Sequence, residues 1–336
     1  MRTPRNSRLA TKTEQSHCRL VVAWGILFLT LCCPSITFET EQLYSSAMRV
    51  GFSFSSGGLL LPYHLGVLDC LQYNGFVTEQ TPLAGASAGA IAVATKVCDI
   101  NSKIILDDTY DMLETCRESF GGTARGNLLP LLRNKLEHRV TEDKFQSMLY
   151  REGDAVVTYF ELFPQFGPIH RTEFDNKEEF IDAVCHSSTF PFFTSNYPAA
   201  VDYRKGKSSE APMTIGGKEV SIQIPRLYMD GFFAVPGNRF GCPDFNLAGV
   251  DNVNRTILVT PFPREAILLD KSIPDEDVIC PLFIDNGITQ SAALIRLATQ
   301  VSSDKELSRL YDTGYVDAES WCHRELCDDA HLKKNQ

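Results

Sequence analysis

The sequence contains no low-complexity tract, no internal repeat and no C-x-x-C pair among its 11 cysteines. The first two absences leave an ordinary globular chain of 336 residues, 43% hydrophobic and 22% charged, with enough apolar material for one large core or two modest ones. The third leaves only Cys322-His323-Arg324-Glu325-Leu326-Cys327 as a metal half-site, and it has no second half. The eight cysteines from Cys70 onward therefore read as buried free thiols, and no metal or cofactor is expected. A basic surface is missing too. Of the net charge of −10, residues 1–38 hold +4 (Arg2, Arg5, Arg8, Lys12 and Arg19 against Glu14), so residues 39–336 hold −14. A body that acidic excludes nucleic acid as a partner and disfavours general adhesion to anionic lipid, so membrane contact by the body should be apolar.

What is present begins with a leader. Basic residues 1–19 precede the apolar run Leu20–Cys33, and Ser35-Ile36-Thr37 supplies small residues at a cleavage site near Thr37–Phe38. The pattern reads as a secretory signal over residues 1–38, with an uncleaved signal-anchor as the rival. Both place the body on the non-cytoplasmic side, hence the endomembrane system or secretion. A bipartite plastid presequence is an alternative, suggested by the phenylalanine after the cleavage site. Residues 39–48 read as a linker, 49–321 as the folded body and 322–336 as a polar tail. Asn254-Arg255-Thr256 is a glycosylation sequon, usable if the body is luminal.

In the body, Arg49–Phe54 alternates like a strand and runs into Ser55-Ser56-Gly57-Gly58-Leu59. Residues 63–71 have helical spacing, and Asn74-Gly75 ends them. A second extended run through Thr81–Ala84 leads to Gly85-Ala86-Ser87-Ala88-Gly89 and a further apolar helix. This βαβα start predicts an α/β fold with a largely parallel sheet. Further on, helices are expected over 102–118 and 126–150, and a capping box at Asp175 and Glu178 opens another from Asn176 to Cys185. Residues 202–219 read as a surface hairpin, 155–160, 226–229 and 256–260 as strands, and 302–310 and 313–321 as a final helical stretch.

G-x-S-x-G between a strand and a helix is the layout of a nucleophile elbow, with Ser87 as nucleophile and Gly85 and Gly89 allowing close packing. The loop at Gly57, Gly58 and Leu59 offers backbone N–H groups to a developing oxyanion; no G-K-[ST] follows it, which removes the phosphate-loop reading. The base is less determined. A Ser–acid–His order would draw on His170, His186 or His323, with His64 read as helix packing. Asp230-Gly231 after a strand is the other candidate, a desolvated carboxylate basic enough to take the serine proton.

The order strand, glycine loop, helix, G-x-S-x-G, then Asp-Gly far downstream resembles the patatin-like phospholipase family from about Val50 to Trp321. Within it the chain is most similar to the adipose triglyceride lipase and adiponutrin branch. The matching stretches are Ser53–Gly58 leading into Tyr63–Val67, Gly85–Ala90, Ala183–Phe192, Leu258–Phe262 and Gly314–Ala318. The resemblance implies a three-layer sandwich, a mostly parallel central sheet with helices on both faces, and a Ser87–Asp230 dyad without histidine. It implies release of fatty acids from glycerolipids at a membrane or droplet surface, and leaves room for a protein activator. Ser56, Leu61 and Phe232 depart from the family pattern. They motivate a rival reading, an inactive module that binds lipid or droplet surfaces. Leu59–Leu61, Phe160–Phe163 and Phe190–Phe193 are expected to form an apolar rim beside the site.

Overall fold

The computed structural model describes residues 49–203, 210–215, 218–223, 225–282 and 287–334, so the signal, anchor and linker readings of residues 1–48 lie outside the described residues. The first strand, β1 (Val50–Phe54), is buried on both sides. Such burial suits the middle of a parallel sheet. It pairs in parallel with β2 (Leu83–Ala86) and with the late strand Arg255–Val259. Beyond β2 comes β3 (Ala155–Phe163), also parallel, and beyond Arg255–Val259 the short Val278–Ile279. The sheet has eight strands, mostly parallel, and eight helices flank it among the described residues.

Alternation along the strands separates two faces. Phe52, Phe54, Leu83, Val157, Tyr159, Ile257 and Val259 share one core with helices α1 (Leu61–Tyr73) and α2 (Ala88–Val97). Ala84 and Val156, which point the other way, are covered by Phe245 and Val250 from an irregular segment. The helices that follow are α3 (Ser102–Ser119), α4 (Leu128–Arg139) and α5 (Glu142–Leu149). The single helix expected over 126–150 is thus two. Val140 ends the first, and Thr141 caps the second by accepting the Lys144 N–H. Helix α6 (Lys177–Ser187) begins one residue later than the expected box places it, because Asn176 rather than Asp175 is the cap and accepts the Glu179 N–H. The hairpin expected over 202–219 lies later in the chain, as β6 (Glu210–Ile215) paired antiparallel with β7 (Lys218–Gln223).

The decisive feature is how β3 is used. One edge of it pairs antiparallel with β4 (Gly167–Arg171) from Val157 to Glu161. Strand β2 pairs with residues 155–158, and β8 (Arg226–Met229) is antiparallel to β3 with Met229 opposite Phe160. Both overlap the partners of β4, so both must occupy the other edge. They meet there head-on: β2 ends at Ala86 opposite Thr158, and β8 ends at Met229 opposite Phe160. The next residue of each strand, Ser87 and Asp230, is driven to the same spot, level with Tyr159. The outer edge of β8 pairs with β5 (Ala200–Asp202).

The chain closes with α7 (Gly287–Thr299) and α8 (Asp304–Lys334). Helix α8 is unbroken, running through the gap expected after residue 310 and through the residues read as a tail. It crosses α1 at two glycines, where a Cβ on Gly66 would lie 2.0 Å from the Tyr311 carbonyl oxygen and one on Gly314 would lie 2.1 Å from that of Tyr63. Tyr63 donates to Asp317 at 2.9 Å and Tyr311 to Asp69 at 2.5 Å across the same contact. The cysteines from Cys70 onward are free thiols, buried as expected except for half-buried Cys280 and exposed Cys327, and no group of metal-ligating side chains occurs among the described residues. None of the described helices is long and apolar enough to cross a membrane.

Candidate active site

Ser87 occupies the sharp turn between β2 and α2 with φ 54° and ψ −121°, a conformation that a non-glycine residue holds only under constraint. The constraint is visible. A Cβ on Gly85 would lie 2.3 Å from the Gly89 carbonyl oxygen, and one on Gly89 would lie 2.2 Å from that of Phe54. Helix α2 therefore sits on the sheet at backbone contact distance, as the elbow glycines predict. The Ser87 N–H is held by Ser187 Oγ at 2.8 Å, and Ser187 Oγ in turn donates to the Thr158 carbonyl at 2.6 Å. Ser187, the last residue of α6, thus ties the elbow to β3. No sequence motif pointed to it.

Ser87 Oγ donates to Asp230 Oδ2 at 2.8 Å. The other oxygen, Oδ1, accepts the Phe232 N–H at 2.9 Å, and the Asp230 N–H is bound by the Thr189 carbonyl at 2.8 Å. Asp230 is fully buried, and among the described residues no cation pairs with it. Burial pushes its carboxyl up to about 7, partly offset by the Phe232 N–H and the Ser87 hydroxyl. Gly231 is obligatory for a reason other than room for the serine. A Cβ there would lie 2.3 Å from the Thr158 carbonyl oxygen and 2.8 Å from Ala86 Cβ, where the two strand ends converge.

Among the described residues no histidine joins the pair. His170 bonds Thr158 Oγ1 at 2.8 Å, His186 packs between Tyr159 and Tyr228, and His323 is exposed on α8. His64 is buried in α1 with its ring bonded to the Ser55 carbonyl at 2.9 Å, and burial lowers its pKa to about 4. The neutral ring therefore donates through Nε2 and fixes the loop before Gly57.

Gly57 and Gly58 line the same cleft as Ser87 and Asp230. Gly58 has φ +56°, and a Cβ there would meet the Ala298 carbonyl oxygen at 2.5 Å. The loop turns into a short 3-10 segment closed by Leu60 N–H to the Gly57 carbonyl at 3.1 Å. The N–H groups of Gly57, Gly58 and Leu59 find no acceptor among the described residues, nor does that of Ala88 immediately after Ser87. Ala88 is a further candidate donor, marked by its place directly after the elbow serine.

The outer cleft, about 560 Å³, is walled by Phe190, Phe192, Phe193, Phe232, Phe240 and Phe262. Five of these rings touch in series, with centroids 6.4 Å apart for Phe193–Phe190 and Phe190–Phe232, 6.2 Å for Phe232–Phe240 and 5.3 Å for Phe240–Phe262. Phe192 is 52% exposed and Phe232 39%. Phe232 thus shapes the wall and leaves the Ser87–Asp230 bond intact. A narrow apolar pocket of about 60 Å³ continues inward from Ser87, Gly58 and Leu59 to Ile91, Met112 and Leu132. The expected rim needs correction at two places. Leu59 and Leu60 are buried because the 3-10 segment packs beneath α7 and α3, and Leu61, the first residue of α1, is buried in the main core. Phe160 and Phe163 lie off the cleft, where Phe160 meets Phe166.

No curated protein matches the chain. The family model described as patatin-like phospholipase matches residues 52–236, a stretch that begins within β1 and holds the glycine loop, the elbow and the Asp230 turn. With more than half of its length matched, the chain belongs to the patatin-like phospholipase family, whose members are lipid acyl hydrolases.

Proposed function

We propose that the protein is a serine acyl-ester hydrolase that releases fatty acids from glycerolipids, with Ser87 as nucleophile and Asp230 as the one general acid–base. The observation that carries this reading is the 2.8 Å bond from Ser87 Oγ to a buried carboxylate with no cation beside it. An ordinary aspartate is too weak a base to draw a proton from serine; one that titrates at about 7 is matched to the task near neutral pH. Asp230 takes the hydroxyl proton as Oγ attacks the acyl carbonyl. The oxyanion is received by the free N–H groups of Gly57, Gly58, Leu59 and Ala88. The protonated Asp230 returns its proton to the departing alcohol oxygen, leaving an acyl-serine. Water enters, gives its proton to Asp230 and attacks the acyl carbon; the same proton then restores Ser87 as the fatty acid leaves.

The phenylalanine wall supports a substrate with long apolar chains presented at a membrane or droplet surface. The resemblance to the adipose triglyceride lipase and adiponutrin branch extends the reading to triacylglycerol as well as phospholipid. The leader supports delivery to the secretory membrane system. The rival, a lipid-binding module without turnover, rests on Ser56, Leu61 and Phe232. Leu61 is buried in the first turn of α1 and Phe232 stands in the wall, so neither separates nucleophile from base.

A fluorophosphonate probe tests the reading. Wild type is expected to be labelled at Ser87 and to hydrolyse emulsified glycerolipid, and Ser87→Ala to do neither. Folded wild type that resists the probe would hand the case to the binding module.

A further inference from the structure

Among the described residues only two charged side chains line the outer cleft, Asp230 and Arg125. Asp230 is buried and bonded to Ser87. Arg125 is exposed, in the loop between α3 and α4. Most arginines of this acidic body are matched to carboxylates: Arg133 to Asp182, Arg139 to Asp108, Arg226 to Glu161 and Arg255 to Asp277. Arg125 has no carboxylate within ion-pair distance among the described residues. Its Nε donates instead to the Phe192 carbonyl at 2.9 Å. That bond fixes the plane of the guanidinium and leaves both terminal nitrogens free.

The position of Arg125 is indexed to the reacting groups by one short segment. Thr189 O accepts the Asp230 N–H, Phe192 O accepts Arg125 Nε, Phe193 O accepts the Gly126 N–H, and Thr194 O accepts the Leu129 N–H. Residues 189–194 therefore hold the base and the arginine in one frame. Thr123, Thr299 and Gln300 line the same cleft and add neutral polar groups to its lining. A cleft with apolar walls, a nucleophile at its base and one oriented, unmatched guanidinium has the chemistry to receive an amphiphile whose ester lies a few bonds from an anion. A planar guanidinium with two free nitrogens suits phosphate oxygens best.

We propose that Arg125 is the head-group anchor of the cleft, binding the phosphate of a glycerophospholipid whose acyl ester lies at Ser87. This rests on the reading of Ser87 as the nucleophile and narrows its substrate from glycerolipids in general to those bearing a phosphate. The acyl chains lie along the phenylalanine wall, and the phosphate marks the end of the cleft that faces solvent.

The test compares phosphatidylcholine with diacylglycerol of the same acyl chains in mixed micelles, using the ratio of the two kcat/KM values, which is internal to each preparation. Wild type should favour the phospholipid. Arg125→Gln should lower the ratio about ten- to a hundredfold, the size of a hydrogen-bonded charge pair, and Arg125→Lys should retain more of it. A ratio unmoved by Arg125→Gln overturns the proposal. Binding reads the same preference without turnover: Ser87→Ala should bind diether phosphatidylcholine more tightly than the diether glycerol, and Ser87→Ala/Arg125→Gln should lose that difference. Equal binding of the two lipids by Ser87→Ala overturns the anchor. The parent reading fails on other results, namely wild type that hydrolyses neither lipid or Ser87→Ala that hydrolyses both, and in either case the binding comparison still decides the role of Arg125.

Discussion

The two ends of β8 each meet a buried carboxylate, and they treat it in opposite ways. At the start of the strand, Arg226 grips Glu161 of β3 through Nε at 2.7 Å and Nη2 at 3.0 Å. At its end, Asp230 receives only a hydroxyl and an amide N–H. Both carboxylates are fully buried. The first is neutralised by a bidentate cation and serves the fold. The second is left to bear its own desolvation, so its charged form is held ready to accept a proton. On the proposed mechanism, reactivity depends on withholding a partner that the same strand supplies a few residues earlier.

The largest expected effects come from breaking the reactive end. Ser87→Ala and Asp230→Asn should each lower kcat/KM for a soluble ester by at least about a thousandfold, measured against mock-purified protein. Asp230→Asn should at the same time stabilise the fold. The native carboxyl titrates at about 7 and the unfolded one near 3.8, so the native state holds a proton that the unfolded chain releases between those values, and stability falls as pH rises through that window. The gain from Asp230→Asn should be nil at pH 4 and grow to as much as about 4 kcal/mol by pH 8, read from urea denaturation midpoints at the two pH values. A gain that shrinks with pH would mean that Asp230 is not a strained base.

The paired end should answer differently. Arg226→Met leaves Glu161 buried without its cation and should cost about 3 kcal/mol of stability while the pH midpoint of activity stays where it was. Wild-type kcat/KM should rise about tenfold per pH unit below neutrality and level off above about 7, in a soluble-ester pH profile. The smallest effect belongs to the wall. Phe232→Ala should lower activity on micellar substrate about threefold to tenfold more than on a soluble ester, in line with about 1 kcal/mol of lost aromatic contact.

Ser87 was legible in the sequence because an elbow needs small residues at fixed offsets, and Gly85 and Gly89 provide them locally. Asp230 was legible only through the order of motifs, since Asp-Gly after a strand is a common turn. What makes it special, the collision of β2 and β8 along one edge of β3, is a register between segments far apart in the chain. Ser187 was silent for the same reason. Leu59–Leu61 misled because an apolar triplet after a glycine loop looks alike whether it faces lipid or packs beneath α7. Arg125 sat in a glycine-rich loop with no periodicity to mark it, and only the carbonyl of Phe192 gives it a direction. The strand periods, by contrast, were readable because alternation is a local property.

The crossing of α1 and α8 has a reach beyond packing. Helix α1 starts just after the amides proposed to receive the oxyanion, and the glycine pair clamps it to a helix that lies wholly past the segment matched by the family model. Phe240, Phe262 and Ala298 also enter the cleft from beyond residue 236. A shortened polypeptide ending there would carry Ser87 and Asp230 yet leave the glycine-loop amides unbraced and part of the mouth unbuilt. Sequence change near the far end of this chain should therefore register as altered turnover, at a distance where mutagenesis would ordinarily look only for altered solubility.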